Sequence, residues 1–268
     1  PCEPTRPIAS RNKADALARE SRRQVAQAAI AFLHLVQTCI RVYNYPIHAF
    51  YTTQPKLETK MIDKISSWKF AEEFNTEPEA MATARKSAEE LGVESVTVAT
   101  GAGLATIAAM LSAKNVVEAG TGAGVSGLWL LSASETSTLT TIDDEPEYQD
   151  RARKNFLAAG IPASRARVIT GKASAVMANM TEAAYDLVFI DVDPAAVEEV
   201  LPHATSLVKP SGAIVLAHAL WRDRVPNPAL RDDDTSALRA VVRFFEDSDE
   251  FISSISMLGD GLLIAVRK

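Results

Sequence analysis

The chain has 268 residues, 47% of them apolar and 23% charged, so it is long enough to bury a full core in one domain of ordinary size. Its net charge of −6 is uneven: residues 1–60 carry nine Lys/Arg against four Asp/Glu, and residues 61–268 carry nineteen against thirty. An acidic main body disfavours nucleic-acid binding, which depends on many cationic contacts to phosphates. Both cysteines, Cys2 and Cys39, lie in the basic segment, so neither a disulfide framework nor a thiolate metal site is expected in the body, and a reducing, cytoplasmic location is predicted.

Residues 1–60 are predicted to be a basic N-terminal extension, separate from a domain formed by residues 61–268. The most apolar run, Val25 to Ile40, contains two glutamines and a histidine and is shorter than the roughly 20 apolar residues that span a bilayer. No secretory cleavage motif follows it cleanly, so we predict neither a membrane span nor a signal peptide. This extension could be disordered, helical or not part of the native protein, and these alternatives stay open. The last one arises because Met61 opens the acidic body and could be the native start.

The domain begins with a short amphipathic stretch, Trp68 to Phe74, followed by helix signals. Thr76 and Glu79 have the spacing of a capping box around Pro78, which predicts a helix start there. Gly92 is placed as a left-handed helix stop. An Ala-rich helix is then predicted over about residues 103–112.

The most informative stretch, Asn115 to Leu131, reads NVVEAGTGAGVSGLWLL: a short apolar strand, a glycine-rich turn and the start of an apolar helix. Gly120, Gly122 and Gly124 can adopt positive φ and let a ligand approach bare backbone N–H groups without meeting a Cβ atom. This pattern predicts a nucleotide-type cradle. A strand-to-helix connection without any ligand stays open, because a lone G-x-G motif is weak.

Strands and helices alternate beyond this turn. Further strands are predicted at residues 138–142, 166–170, 185–190, 213–217, 252–258 and 262–267, with helices at about 126–133, 146–159, 173–180, 195–207 and 235–247. Apolar strands interleaved with helices predict an α/β fold, a doubly wound, mostly parallel seven-stranded sheet covered on both faces. Because only residues 259–261 join the last two strands, these must form a C-terminal antiparallel hairpin.

Two ligands fit the turn. Gly122, Gly124 and Gly127 match G-x-G-x-x-G, and Asp143 lies at the end of the next strand, where a dinucleotide-binding protein places its ribose-binding acid. A nicotinamide-dependent oxidoreductase is therefore one reading. Against it, Glu118 lies just before the turn, and a carboxylate is an unfavourable neighbour for a pyrophosphate. An acid at this position suits a ligand with a cationic head, such as S-adenosylmethionine.

Five ordered segments, EAGTGAGVSGLWLL, LTTIDDEPEY, YDLVFIDVDP, GAIVLAHALW and LGDGLLIAVRK, resemble the catechol-type, class I S-adenosylmethionine-dependent O-methyltransferases, in an actinobacterial-looking branch. The resemblance covers residues 61–268 and implies a Rossmann-like methyltransferase domain. It implies transfer of a methyl group to a hydroxyl of a small, phenolic acceptor, and often a homodimer.

The resemblance also implies roles for individual residues. Glu118 receives the methionine ammonium, Ser126 helps to hold the carboxylate, and Asp143 takes the ribose hydroxyls. Ala173 lies against the adenine, and Val96 belongs to a lid over the cofactor. The implied cofactor-binding set is Val96, Glu118, Gly120, Thr121, Ser126, Asp143, Ala173 and Asp191. For these positions a cap, a turn residue or a core residue is the simpler structural alternative.

The implied catalytic set is less complete. Asp191 matches a family aspartate that binds a divalent cation, but the family lysine is Pro194, and the family Asp-Asn pair is Ala217-His218. A hard cation such as Mg²⁺ prefers oxygen ligands, so a weak site built from Asp191, Asp193 and His218 is the open alternative to metal-independent chemistry. Without a metal, His218 is the candidate general base, because histidine ordinarily titrates near neutral pH. A buried, hydrogen-bonded histidine at a strand end is the alternative.

The acceptor is the least determined partner. Trp68, Phe70 and Trp221 are candidates to line an apolar acceptor pocket, although ordinary packing explains each of them equally well. A protein that binds S-adenosylmethionine but has lost catalysis at Pro194 and Ala217 is a further alternative.

Overall fold

The structure is a computed structural model and describes residues 64–268, so the predictions for residues 1–60 lie outside the described residues. The helices of this part are α1 (Lys64–Glu72), α2 (Glu79–Leu91), α3 (Val98–Met110), α4 (Val125–Ser132), α5 (Pro146–Ala158), α6 (Ala173–Met177), α7 (Pro194–Leu207) and α8 (Asp233–Glu246). The strands are β1 (Asn115–Ala119), β2 (Thr138–Asp143), β3 (Ala166–Thr170), β4 (Tyr185–Ile190), β5 (Val208–Leu216), β6 (Phe251–Ser256) and β7 (Leu262–Arg267).

The seven strands form one sheet in the order β3-β2-β1-β4-β5-β7-β6. The pairs from β3 to β5 are parallel, and β7 runs antiparallel to both β5 and β6. The predicted α/β class and the C-terminal antiparallel hairpin are therefore confirmed. The strand order reverses between β1 and β4, and open α/β sheets bind ligands at the carboxyl ends of the strands beside such a point.

Alternating side chains of the strands build a separate apolar core on each face of the sheet. Val116, Leu187 and Val215 belong to one core, together with residues of α3 and α4. Their chain neighbours Val117 and Val188 belong to the other, together with residues of α7 and α8. Burial of the strands on both faces explains why they read as continuous apolar runs in the sequence.

One predicted cap and one predicted helix start differ from the structure. Helix α2 begins at Glu79, but no side chain caps its first turn, so the capping box expected between Thr76 and Glu79 is wrong. Glu77 instead forms a two-pronged ion pair with Arg85. The Ala-rich helix begins at Val98, five residues before the prediction, because Thr97 accepts a hydrogen bond from the amide of Thr100 and acts as its N-cap.

One glycine inside α3 packs closely against a neighbouring helix. Gly101 lies against the indole of Trp129 in α4, and a Cβ atom at this position would overlap that ring. The residue therefore serves close helix packing and does not break the helix. Gly92 does end α2 as predicted, with φ of +70°. Among the helices of residues 64–268, none is long and apolar enough to cross a membrane.

Candidate active site

The candidate site lies at the carboxyl edge of the sheet, around the glycine turn of residues 120–124 that joins β1 to α4. Gly120, Gly122 and Gly124 have φ of +94°, +48° and +85°, as the sequence predicts for a sharp turn. Gly120 also faces the backbone of Asp191 so closely that any Cβ atom would overlap its carbonyl oxygen. The turn after β1 and the end of β4 can meet only because this residue has no side chain.

The amides of this turn are not bare, contrary to the prediction. The N–H groups of Thr121 and Gly122 both donate to Oδ2 of Asp143, each at 2.9 Å. The amide of Gly120 donates to the carbonyl of Ile142, and that of Gly124 to the carbonyl of Thr121. A pyrophosphate would need such N–H groups, so their use by Asp143 weighs against the dinucleotide reading.

Glu118, the last strand residue but one before the turn, is completely buried. Its Oε1 accepts a hydrogen bond from the hydroxyl of Ser126, and its Oε2 accepts one from the hydroxyl of Thr141, both at 2.6 Å. Burial raises the pKa of this carboxyl from its usual 4.5 to about 8, although the two hydroxyl donors act to lower it. A buried acid of this kind is complementary to a cation that arrives with a ligand.

Two further predicted cofactor positions, Asp143 and Ala173, lie at the end of β2 and after β3, and Val96 precedes α3. Asp143 ends β2, and its Oδ1 accepts one hydrogen bond, from the amide of Glu145 at 3.1 Å. Because a carboxylate oxygen can accept two bonds, Oδ1 keeps capacity for a ligand hydroxyl. Ala173 begins α6, and Gly171 just before it donates its amide to the carbonyl of Asp143. Val96 is 6% exposed and packs in the apolar core.

The predicted catalytic residues Asp191 and His218 do meet. Nε2 of His218 lies 3.5 Å from Oδ1 of Asp191, at the ends of the neighbouring strands β4 and β5. Burial raises the pKa of the Asp191 carboxyl, and the neighbouring His218 opposes this effect. The sequence reasoning missed a third member: Oδ2 of Asp260 lies 3.3 Å from Nδ1 of His218.

Asp260 comes from the hairpin turn of residues 259–261, which joins β6 to β7. In the sequence it stands between two glycines, where an aspartate reads as a turn residue. No local pattern connects it to a histidine 42 positions earlier. The signal that could have found it is topological, because the antiparallel insertion of β7 beside β5 brings the hairpin turn to the end of β5.

The segment after β5 is held in an uncommon backbone conformation. His218, Trp221, Arg222 and Asp223 all have positive φ, between 47° and 60°. The hairpin turn holds this segment: Oδ1 of Asp260 accepts from the amide of Arg222 at 2.6 Å, and two backbone bonds link residues 219 and 220 to residues 261 and 260. Such strain persists only where the surroundings impose it, and it concentrates at functional sites.

The donor atoms of this cluster do not fit a divalent cation. The two ring nitrogens of His218 point in different directions, so Asp191 and Asp260 lie on opposite sides of the imidazole and cannot converge on one ion. Asp193 is exposed, and Ala217 supplies no ligand atom. Across residues 64–268, no group of three or more His, Cys, Asp or Glu side chains is arranged to hold a metal ion.

The three aromatic candidates for an acceptor pocket have different surroundings in the structure. Trp221 is half-buried and packs edge-on against the ring of His218, with centroids 6.3 Å apart. Trp68 is 45% exposed on α1 and donates to the carbonyl of Met257. Phe70 is 71% exposed and contacts the ring of Phe74. Only Trp221 has a described contact with the cluster around His218.

Comparisons with known proteins agree on one family. A family model described as O-methyltransferase matches residues 71–268. A relative from Mycobacterium sp. (strain JLS) that carries an O-methyltransferase name is 44% identical over 198 residues, which is 74% of this chain and 90% of the relative. A crystal structure of a protein from Corynebacterium glutamicum is 30% identical and superposes with a TM-score of 0.71, covering 76% of this chain and 97% of that one.

A further structural match shares the fold. The O-methyltransferase TomG from Streptomyces achromogenes, involved in tomaymycin synthesis and crystallised with S-adenosylmethionine, is 23% identical with a TM-score of 0.66. The match covers 75% of this chain and 94% of TomG.

Proposed function

The chain belongs to the O-methyltransferase family, and from this premise we propose that it transfers the methyl group of S-adenosylmethionine to the hydroxyl of a small, phenolic acceptor without a metal ion. S-adenosylmethionine is the methyl donor that the family and the fold both call for, and TomG, which has this fold, was crystallised with it. The single observation that carries the catalytic part of the proposal is the placement of His218 between Asp191 and Asp260.

The buried Glu118 and the turn beside it suit the amino-acid head of this cofactor. Glu118 offers a carboxylate to the ammonium group, and Ser126, in the first turn of α4, lies where a helix N-terminus favours the cofactor carboxylate. Gly120 and Thr121 belong to the turn between Glu118 and Ser126, and we assign them to the same part of the cofactor site. Oδ1 of Asp143 keeps capacity for the ribose. We assign Ala173, at the start of α6, to the adenine, Val96 to the lid over the cofactor, and Asp191, just after β4, to the cofactor site.

The cofactor supplies an electrophilic methyl group on a sulfonium sulfur, so the protein must align an acceptor oxygen and remove its proton. Alignment is the larger effect, because positioning can contribute roughly 7–11 kcal/mol and a general base about 10²–10⁴-fold in rate. The loss of the family lysine at Pro194 therefore does not by itself abolish transfer. It favours an acidic acceptor such as a phenol, which needs less help in losing its proton.

His218 is the proposed general base. With Nδ1–H directed at Asp260, Nε2 carries the lone pair, and its distance of 3.5 Å from Asp191 is too long for a good hydrogen bond. Nε2 is thus free to take the acceptor proton as the acceptor oxygen bonds to the methyl carbon and the carbon–sulfur electron pair leaves with the sulfur. The resulting imidazolium would lie between the carboxyl groups of Asp191 and Asp260.

An acceptor screen tests this function. Simple phenols and catechols are offered with S-adenosylmethionine, and S-adenosylhomocysteine is measured with added Mg²⁺, with chelator and with neither. We expect turnover of at least one phenolic acceptor at the same rate in all three conditions. Loss of turnover in chelator would contradict the metal-independent chemistry.

Two other functions predict different results in the same assays. A catalytically eroded cofactor-binding protein would bind S-adenosylmethionine in calorimetry and yield no S-adenosylhomocysteine with any acceptor. A nicotinamide-dependent oxidoreductase would bind NAD(H) in preference to S-adenosylmethionine. The Thr121 and Gly122 amides donate to Asp143, which weighs against the oxidoreductase. These bonds do not distinguish an eroded protein from an active methyltransferase, so that choice rests on the assay.

The family resemblance also implies a homodimer. The edge strand β6 offers a surface for association, because Ile252 and Ile255 are 65% and 41% exposed and Met257, just after it, is 62% exposed. Light scattering at micromolar concentration is expected to give twice the mass of one chain. A single-chain mass would contradict this assembly.

A further inference from the structure

A chain of buried hydrogen bonds leads from helix α5 to Glu118. Nε2 of Gln149 lies 3.0 Å from Oγ1 of Thr121, which lies 2.6 Å from Oγ1 of Thr141, which in turn lies 2.6 Å from Oε2 of Glu118. All four residues are at most 3% exposed. Thr141 reaches Glu118 because the two residues lie opposite each other in the parallel pair of β1 and β2.

The amide orientation of Gln149 is fixed by its surroundings. The same Nε2 lies 3.1 Å from the carbonyl oxygen of Ile169 and 3.4 Å from that of Asp143. Carbonyl oxygens only accept hydrogen bonds, so the atom between them must be the NH₂ group. Gln149 therefore donates to Thr121 and cannot accept from it.

This donor fixes the direction of the two hydroxyl bonds. A threonine hydroxyl has one hydrogen. If Glu118 is ionised, the hydrogen of Thr141 goes to Oε2, the hydrogen of Thr121 goes to Thr141, and Gln149 donates to Thr121. Every hydrogen of this chain then has an acceptor.

The opposite direction leaves a hydrogen without a partner. If a protonated Glu118 donated to Thr141, Thr141 would have to donate to Thr121, which already accepts from Gln149. The hydrogen of Thr121 would then lack a described acceptor, at a cost comparable to that of any buried unsatisfied donor. The fixed amide of Gln149 thus makes Thr141 a donor to Oε2 and disfavours a proton on that oxygen.

We propose that Gln149, Thr121 and Thr141 form a directed hydrogen-bond relay that stabilises negative charge on Oε2 of Glu118 and orients the carboxylate for the ammonium group of the cofactor. Thr141 and Gln149 are positioning residues in this relay, because they act through Glu118. The proposal rests on the proposed role of Glu118 as the receptor of the cofactor head.

The relay opposes two unfavourable influences on the Glu118 charge. Burial is the larger, and the carboxylates of Asp191 at the end of β4 and Asp143 at the end of β2 add repulsion. The two hydroxyl donors, from Ser126 on α4 and Thr141 on β2, are the groups that favour the charged form. A cofactor ammonium supplies the missing cation, so its binding is coupled to the loss of a proton from Glu118 at neutral pH.

The test compares two ligands on matched variants by calorimetry. S-adenosylmethionine carries the amino-acid head, whereas 5′-methylthioadenosine shares its adenosine but lacks the head. For Thr141→Val we expect about tenfold weaker binding of S-adenosylmethionine at about pH 7 and unchanged binding of methylthioadenosine, since one hydrogen bond to a charged group is lost. Gln149→Leu, one step further away, is expected to weaken it by about threefold.

Two controls separate positioning from damage. Thr141→Ser keeps the hydroxyl and should restore most of the affinity. Thr140→Val removes a hydroxyl from the neighbouring position of β2, which points to the other face of the sheet, and should leave both ligands unaffected.

The pH dependence of binding distinguishes the relay from a merely structural role of Thr141, which would weaken binding equally at every pH. The ratio of the dissociation constants of Thr141→Val and the unmodified protein cancels any titration of the ligand itself. We expect this ratio to be largest at about pH 6.5 and to shrink toward about pH 9, where Glu118 is ionised in both proteins. A ratio independent of pH, or equal losses for both ligands, would overturn the relay.

Glu118→Gln makes the two levels of the proposal distinguishable. If this variant loses affinity for S-adenosylmethionine alone while Thr141→Val does not, the relay is wrong and the role of Glu118 stands. If Glu118→Gln binds S-adenosylmethionine as tightly as the unmodified protein does, the role of Glu118 itself is wrong.

Discussion

The two halves of the proposed active site are built in opposite ways. The cofactor half, made of β1, the glycine turn and β2, is buried, and its polar atoms bond to one another within two adjacent strands, the turn and the start of α4. The catalytic half takes Asp191, His218 and Asp260 from three distant segments and holds His218 in a left-handed backbone conformation. The difference suggests that the cofactor half is constrained by folding and the catalytic half by chemistry. Substitutions in the two halves should therefore affect different quantities.

The largest effect is expected in the catalytic half. His218→Asn removes the proposed base, and asparagine tolerates the left-handed backbone at this position. We expect kcat to fall by about 10²–10⁴-fold, with the dissociation constant of S-adenosylmethionine unchanged. Initial rates and calorimetry measure the two quantities. An unchanged kcat would remove His218 from the mechanism.

In the cofactor half, Glu118→Gln should have opposite effects on binding and on stability. The affinity for S-adenosylmethionine is expected to fall by about 100-fold, because a buried carboxylate that pairs with an ammonium loses its charge. The stability of the cofactor-free protein is expected to rise at high pH.

The sign of the stability effect follows from the raised pKa. Between the usual 4.5 and about 8 the folded protein holds a proton on Glu118 that the unfolded chain releases, so stability falls as the pH rises through this window. Glutamine does not titrate. At about pH 8.5 the variant should be more stable by roughly 4–5 kcal/mol, and at about pH 4 the two proteins should coincide. Urea unfolding measures the difference in unfolding free energy between the two proteins. The same difference at both pH values would contradict this reasoning.

Asp260→Asn tests the link between the hairpin turn and the base. Asparagine can still accept the Arg222 amide, but it loses the charge that favours a protonated His218. We expect kcat to fall by about tenfold, with little change in cofactor affinity or thermal stability. A matched Asp260→Ala variant also loses the bond to Arg222, so it should unfold at a lower temperature as well. Equal losses of cofactor affinity and kcat would indicate general disruption.

The smallest effect concerns the acceptor. Trp221→Leu should raise KM for the best phenolic acceptor by about tenfold, since this ring packs against His218, and leave the cofactor dissociation constant unchanged. Phe70→Leu is the matched control, because Phe70 is exposed on α1. If the two variants raise KM equally, Trp221 does not line the acceptor site.

Much of the cofactor half could be predicted from local sequence. The strand, the turn and the helix of residues 115–131 follow from apolar runs and from glycines that have to take positive φ. Even here the use of the turn amides was not predictable, because they bond to Asp143 across 21 and 22 positions. Gln149 escaped notice for the same reason. On an amphipathic helix it reads as a surface residue, yet it is completely buried.

The sequence by itself determined the succession of strands and helices along the chain, the reversed final hairpin and the acid before the glycine turn. These features depend on local periodicity, on loop lengths too short for a crossover and on the conformations open to glycine. Only the tertiary structure decided that Asp260 meets His218 and that Gln149 reaches Glu118 through two threonines. Those contacts arise from strand order and register, which bring distant side chains together without leaving a periodic signal in either segment.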